Sequence, residues 1–209
     1  MKLVSQSFAD GARIPDDFAF CNPAETGHVR LGGNRNPHLS WSVLPDSTRS
    51  LVLICHDPDV PSRPDDVNQE GRTVPADLAR VDFFHWVVVD LPPELGVIAE
   101  GAFSREVTPR GKSASQSEFG ARQGINDYTA WFAGDEAMRG DYYGYDGPCP
   151  PWNDERVHHY VFTLYALDVD RCAVDGRFGG LEVRNAIAGH ILAEAKLTGT
   201  YSLNPAASA

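Results

Sequence analysis

The chain has 209 residues, with 18 Lys and Arg against 29 Asp and Glu and a formal net charge of −11 at pH 7. That length suits one domain with a full core. The charge argues against sequence-independent nucleic-acid binding and against adsorption to anionic lipid surfaces. It leaves room for a small anion in a locally basic or dipolar pocket. Lysine occurs only as Lys2, Lys112 and Lys196, so most cations are arginines, which suit planar bidentate contacts to anions.

Residues 2–8 alternate like a strand and end at Asp10-Gly11; they carry no apolar signal-peptide core. Residues 38–41 form a short half-apolar strand, closed by Leu44-Pro45-Asp46. The run Leu51-Val52-Leu53-Ile54-Cys55 suits a buried strand and is expected to break at His56-Asp57-Pro58-Asp59-Val60-Pro61. Residues 83–90 and 159–167, rich in Val, Phe and Tyr, complete the three strongest strands. One helix is expected over 181–195, where Val183, Ile187 and Ile191 follow helical spacing and alanines add propensity. Gly189 is expected to weaken this helix without ending it. A closing strand at 200–203 and a frayed tail at 204–209 follow.

Fifteen prolines and nineteen glycines are scattered rather than gathered into a linker. The pattern points to a mainly β, single-domain antiparallel β-sandwich spanning residues 1–209. Residues 62–81 and 113–145 are too long for idle connections, and the second is rich in aromatic rings. No run approaches the roughly 18 apolar residues of a membrane span. The cysteines, Cys21, Cys55, Cys149 and Cys172, form no Cys-x-x-Cys pair from which a zinc site could be read. These features predict a reduced, cytoplasmic protein without cofactor, nucleic-acid partner or integral membrane association.

Buried Asp and His must be hydrogen-bonded or neutralised, at a cost of roughly 1–3 kcal/mol per unpaired group. Period-two geometry puts His158 and Tyr160 on one face of their strand with His159 on the other, and groups His85 with Phe83 and Val87. If these strands flank the one ending at Asp57, then Asp57, Asp59, His85, His158 and Tyr160 converge on one cleft. Imidazole and phenol donors suit phosphate or phosphonate oxygens, while the carboxylates hold an amine or orient the histidines. Each residue alone also has a plainer reading: Asp57 and Asp59 as turn caps, His85 as a satisfied core histidine, Cys55 as a small core residue. Cys149, between prolines beside the cleft, is the one thiol worth testing, and Arg63, Arg72 and Arg110 read as solvated loop charges.

Two other function classes compete. His56, Asp57, Asp59, His85 and His158 could supply the two histidines and one carboxylate of a metal-dependent hydrolase, although no His-Glu-x-x-His spacing or Gly-x-Ser-x-Gly elbow occurs. Trp131, Phe132, Tyr142 and Tyr143 could form the contact surface of a protein-interaction module. The same rings would equally cover the sandwich edge or meet a second copy of the chain.

At these residues the chain resembles a known family. Asp57-Pro58-Asp59-Val60-Pro61, His85-Trp86, and Gly147-Pro148-Cys149-Pro150-Pro151 followed by His158-His159-Tyr160 are similar to the three signatures of the phosphatidylethanolamine-binding protein family. The bacterial Raf-kinase-inhibitor-like branch is the nearest in pattern. Further similarities at Phe8-Ala9-Asp10-Gly11, 36–41, 50–54, Gly124-Ile125-Asn126-Asp127 and 197–201 extend the resemblance over nearly the whole chain. It implies an antiparallel β-sandwich with few peripheral helices, one of them near the C-terminus. It also implies a small non-catalytic anion pocket at Asp57, Asp59, His85, His158 and Tyr160 that accepts phosphoryl head groups, pairing as a homodimer, and a kinase- or protease-modulating role. Two departures flank that pocket: residues 62–81 are longer than the expected link, and 130–145 insert extra aromatics. His159 stands where the resemblance leads us to expect Arg.

Overall fold

Leu51, Leu53 and Cys55 belong to one hydrophobic core, while Val52 and Ile54 belong to another. The apolar run is continuous because its strand is buried on both faces. The computed structural model describes residues 1–114 and 119–207. Its strands are β1 (Lys2–Val4), β2 (Cys21–Pro23), β3 (Val29–Leu31), β4 (Leu39–Ser42) and β5 (Ser50–Pro61). They continue as β6 (Arg80–Leu91), β7 (Val97–Ile98), β8 (Arg122–Gln123), β9 (His158–Leu167) and β10 (Ile191–Tyr201). The helices are α1 (Tyr128–Trp131) and α2 (Gly180–Ile187).

An antiparallel five-stranded sheet in the order β10-β9-β5-β6-β8 faces a three-stranded sheet, β1-β4-β7, and a ribbon, β2-β3, stands beside them. Leu3, Leu39, Trp41 and Ile98 from the small sheet meet Leu53, Trp86, Val88 and Phe162 from the large one. On the outer face Val52, Ile54, Phe84, Val87 and Val89 are covered by Val183 and Ile187 of α2 together with Phe178. The mainly β sandwich with one helix near the C-terminus is therefore the observed architecture. Among the described residues, no helix is long and apolar enough to cross a membrane.

Several boundaries differ from expectation. Strand β5 does not break at His56 but runs on to Pro61; a register shift between Asp57 and Val60 accommodates Pro58, which has no N–H for the ladder. In β6, Trp86 pairs with Cys55 and Phe84 with His56, so His85 is an extra residue. Such a bulge re-aims side chains, and His85 and Trp86 both turn to the inner core while Phe84 and Val87 turn outward. His85 therefore does not share a face with Val87.

Helix α2 stops at Ile187, and Gly189 adopts φ 87°, a left-handed conformation that ends helices readily. Residues 191–195, expected to be helical, instead pair with Leu167–Leu164 of β9, because those strand groups need partners. At the C-terminus the Asn204 amide donates to the Asp154 carbonyl at 2.8 Å, so residue 204 is anchored rather than frayed; residues 208–209 of that expected tail, like 115–118 of the long loop, lie outside the described residues. Cys21 and Cys149 form a disulfide across a sequence separation of 128. This overturns the expectation of a fully reduced chain, since widely spaced cysteines can still meet in space. Cys55 and Cys172 are free and buried.

Candidate functional site

A cavity of about 470 Å³ opens where β5, β6 and β9 meet the segment before β9. Asp57, His85, His158 and Tyr160 line it, and Asp59 does not. The register shift after Asp57 turns Asp59 away, onto Arg156 at 3.1 Å and the His159 ring and amide at 2.8 and 3.0 Å. Burial alone would raise the Asp59 pKa, but these partners hold it below the ordinary carboxylate value. Four of the five expected residues thus come together at the base of one cavity.

Their roles differ from the expectation. His158 Nδ1 lies 2.7 Å from Asp57 Oδ2, and its Nε2 lies 3.1 Å from Asp154 Oδ2. Arg80 forks onto Asp154 from behind, at 2.5 and 3.0 Å. Burial pulls the imidazolium down, but Asp57 and then Asp154 more than offset it, and the His158 pKa is raised to about 9. With a carboxylate at each ring nitrogen, both N–H groups are spent. His158 therefore has no donor left for a ligand; it positions Asp57, whose Oδ1 accepts from the Asp59 amide at 2.7 Å.

His85 is the opposite case. Its Nδ1 donates to the Asp146 backbone carbonyl at 2.7 Å, which leaves Nε2 as a lone-pair acceptor. Burial lowers its pKa to about 4, only partly opposed by the Asp57 charge and the Asp146 bond. Tyr128 and Tyr160 meet the ring edge-on at 5.6 and 5.0 Å and fix its plane. The Tyr160 hydroxyl is buried and makes no close hydrogen bond among the described residues; burial, then the Asp57 charge and a looser side-chain interaction with the same carboxylate, push its pKa well above that of a free phenol.

Sequence reasoning missed Asp154, Arg80 and Asp146. Asp146 is fully buried and bonded to Lys112, Asn34 and Asn126 at 2.7, 2.7 and 2.8 Å. Burial raises its pKa, with Lys112 opposing. Its position just before Gly147-Pro148 was the available signal; nothing in the sequence shows Asp154 folding back onto His158. His56 projects to the far face of β5, 4.0 Å from Asp82. Among the described residues, no three His, Cys, Asp or Glu side chains are grouped to hold a metal ion.

Both long loops wall the cavity. Arg63, Val67 and Asn68 come from the first, and Trp131, Phe132 and Met138 from the second. The first is pinned by Asn153, whose amide donates to the carbonyls of Asp66 at 2.8 Å and Arg72 at 3.1 Å. Cys21 and Cys149 also line the cavity, so the thiol singled out for reactivity is instead part of a cross-linked wall. Of the candidate interaction rings Tyr142 is fully buried, whereas Trp131 is 52% exposed.

Fold and cavity together define a β-sandwich binding protein. The family model for phosphatidylethanolamine-binding protein matches residues 4–202, and the chain belongs to that family, in its YbhB/YbcL-type branch. It is 32% identical over 203 residues to the UPF0098 protein YbhB of Escherichia coli K12, covering 97% of this chain and 100% of the relative. A UPF0098 protein of Methanothermobacter thermautotrophicus is likewise 32% identical, covering 96% of this chain and 98% of the relative. Among solved structures, Escherichia coli YbcL, described as a new member of the mammalian PEBP family, aligns with TM-score 0.68 and 26% identity over 96% of this chain and 97% of that one. A phosphatidylethanolamine-binding protein homolog from Chlamydia trachomatis gives 0.64 and 30% over 96% of each.

Proposed function

We propose that this is a non-catalytic binding protein whose cavity takes the phosphoryl group, or a similar oxyanion, of a small ligand. The observation that carries this reading is the Tyr160 hydroxyl, buried at the cavity base with no close hydrogen bond among the described residues and only a looser approach to Asp57. Such an orphan costs roughly 1–3 kcal/mol, and a ligand oxygen would satisfy it. His85 Nε2 stands beside it as an acceptor for a ligand O–H, and family membership supports the same assignment. Binding is favoured over turnover because His158, the histidine a hydrolase would use as base, is held by two carboxylates, and no nucleophile is bonded to His85.

Homodimer pairing and a kinase- or protease-modulating role belong to this reading as expectations from the family branch. The Cys21–Cys149 disulfide favours an oxidising compartment over the cytoplasm. Isothermal calorimetry with inorganic phosphate and phosphoethanolamine tests the site. Binding is expected in the wild type and about tenfold or greater weakening in His85→Ala and Tyr160→Phe; unchanged affinity in both variants overturns the reading.

A further inference from the structure

The walls of the cavity are chemically unlike its base. Asp57 is the one carboxylate among the lining residues, and its oxygens already accept from His158 and the Asp59 amide. Arg63 stands at the wall with its side chain 68% exposed and its Nε 3.7 Å from Asp65. Much of the remaining wall is aromatic. Phe20 and Tyr128 lie 4.5 Å apart at an interplanar angle of 15°, and Tyr128 and Phe132 lie 5.6 Å apart at 16°. Phe83 meets Tyr128 edge-on at 5.2 Å.

Building on the phosphoryl reading, we propose that the ligand is a phosphomonoester of a compact aromatic group, with its phosphoryl end at Tyr160 and His85 and its ring against Phe20 and Phe132. Three arguments converge. The primary ammonium of an ethanolamine head group would find no free carboxylate among the lining residues, because Asp57 is already engaged. Aromatic surfaces prefer ring partners at centroid distances of about 4.5–7 Å, and half-buried Phe132 is the ring of this patch whose surface is still partly open to a ligand. An apolar cavity of ~150 Å³ is enough for benzene, so about 470 Å³ accommodates a phosphoryl group with one or two fused rings. Val67, Trp131, Phe132 and Met138 come from the two loops that depart from the family pattern, which makes those loops the specificity elements of this chain.

The test is isothermal calorimetry on the full chain with four probes: inorganic phosphate, phosphoethanolamine, 1-naphthyl phosphate and 1-octyl phosphate. We expect 1-naphthyl phosphate to bind at least about tenfold more tightly than the other three, and Phe132→Ala to shrink its advantage over inorganic phosphate to within about twofold. Trp131→Ala, at an exposed position, is the second variant in case Phe132→Ala disturbs the fold, and it too should reduce the ratio. Tyr160→Phe should weaken inorganic phosphate and 1-naphthyl phosphate together, because both place a phosphoryl oxygen at one hydroxyl. Phosphate binding without any aryl gain overturns the aromatic assignment and leaves the phosphoryl reading standing. Octyl phosphate equal to or tighter than naphthyl phosphate identifies an acyl-type tail and likewise overturns it. Failure of all four probes overturns both.

Discussion

The two histidines at the base of the cavity are displaced in opposite directions from the ordinary imidazole pKa, so stability is expected to peak between them. The folded-state pKa of His158 is raised from 6.5 to about 9. The folded chain therefore holds a proton that the unfolded chain releases near 6.5; the stabilisation is complete below that value and is lost as pH rises through 9. A shift of that size corresponds to about 3 kcal/mol. The folded-state pKa of His85 is lowered from 6.5 to about 4. Here the unfolded chain takes up a proton that the folded chain refuses, so stability is retained above 6.5 and falls below it, by about 2 kcal/mol at pH 5. Against a typical total of about 5–15 kcal/mol, both arms are large.

Urea unfolding in half-unit steps from pH 5 to 9.5 reads both arms. The window avoids most of the titration of Asp59 and Asp154, whose pKa values are depressed. Wild type should show a maximum near pH 6.5. His158→Gln should be less stable overall, by about 3–5 kcal/mol because it leaves buried Asp57 without its cation while Asp154 keeps Arg80, and it should lose the alkaline arm. His85→Gln should lose most of the acid arm, leaving the share of His56, whose pKa burial and then Arg184 also lower. A wild-type curve that is flat from pH 6.5 to 9, or an alkaline loss that persists undiminished in His158→Gln, would refute the reasoning.

Reduction of the disulfide should be costly: closing a loop of 128 residues' separation stabilises by about 5 kcal/mol on the chain-entropy account, and urea midpoints with and without a dithiol reductant measure it, identical midpoints counting against a formed bond. Tyr160→Phe removes a hydroxyl that makes no close hydrogen bond among the described residues, so thermal unfolding should be unchanged or stabilised by up to about 1 kcal/mol, and a marked loss would show that its approach to Asp57 is a full hydrogen bond. At Gly180 an added Cβ would fall 2.1 Å from the Phe84 ring, so Gly180→Ala should destabilise by about 1–3 kcal/mol despite its better helix propensity. An unchanged melting temperature would mean that α2 does not pack this closely on β6.

The architecture was legible because strand signals are local. The run at 51–55 is buried on both faces of β5, and the alternation of His158, His159 and Tyr160 holds in β9, where pairing with β10 is regular through this stretch. Alternation failed at Asp59 and His85 because each follows or occupies a register irregularity, and a one-residue bulge flips the faces beyond it. The helix boundary failed because side-chain spacing at 183, 187 and 191 continues through Gly189, whereas the backbone does not. The disulfide and the Asp146 contacts depend on long chain returns, of 128 residues for Cys21–Cys149 and 112 for Asn34–Asp146, that no local pattern encodes; Asp154 lies only four residues before His158 but outside the strand whose alternation was read.

Charge at the base of the cavity explains why a phosphoryl ligand would have to bring a proton. Asp57 and Asp154 are matched by the His158 imidazolium and Arg80, Asp59 by Arg156, and Asp146 by Lys112. Among the described residues, no spare positive charge stands at the base to receive a dianion. A phosphomonoester titrates near pH 6, and its monoanion can donate a P–O–H to His85 Nε2 while another oxygen accepts from Tyr160. A phosphodiester offers the acceptor but no proton, and its oxygen would face the His85 lone pair. The alternative is to protonate His85 against a pKa of about 4, which at pH 7 costs about 4 kcal/mol. Selectivity for monoesters over diesters would then arise from the neutrality of the cavity base rather than from positive charge, in keeping with a chain whose net charge is −11.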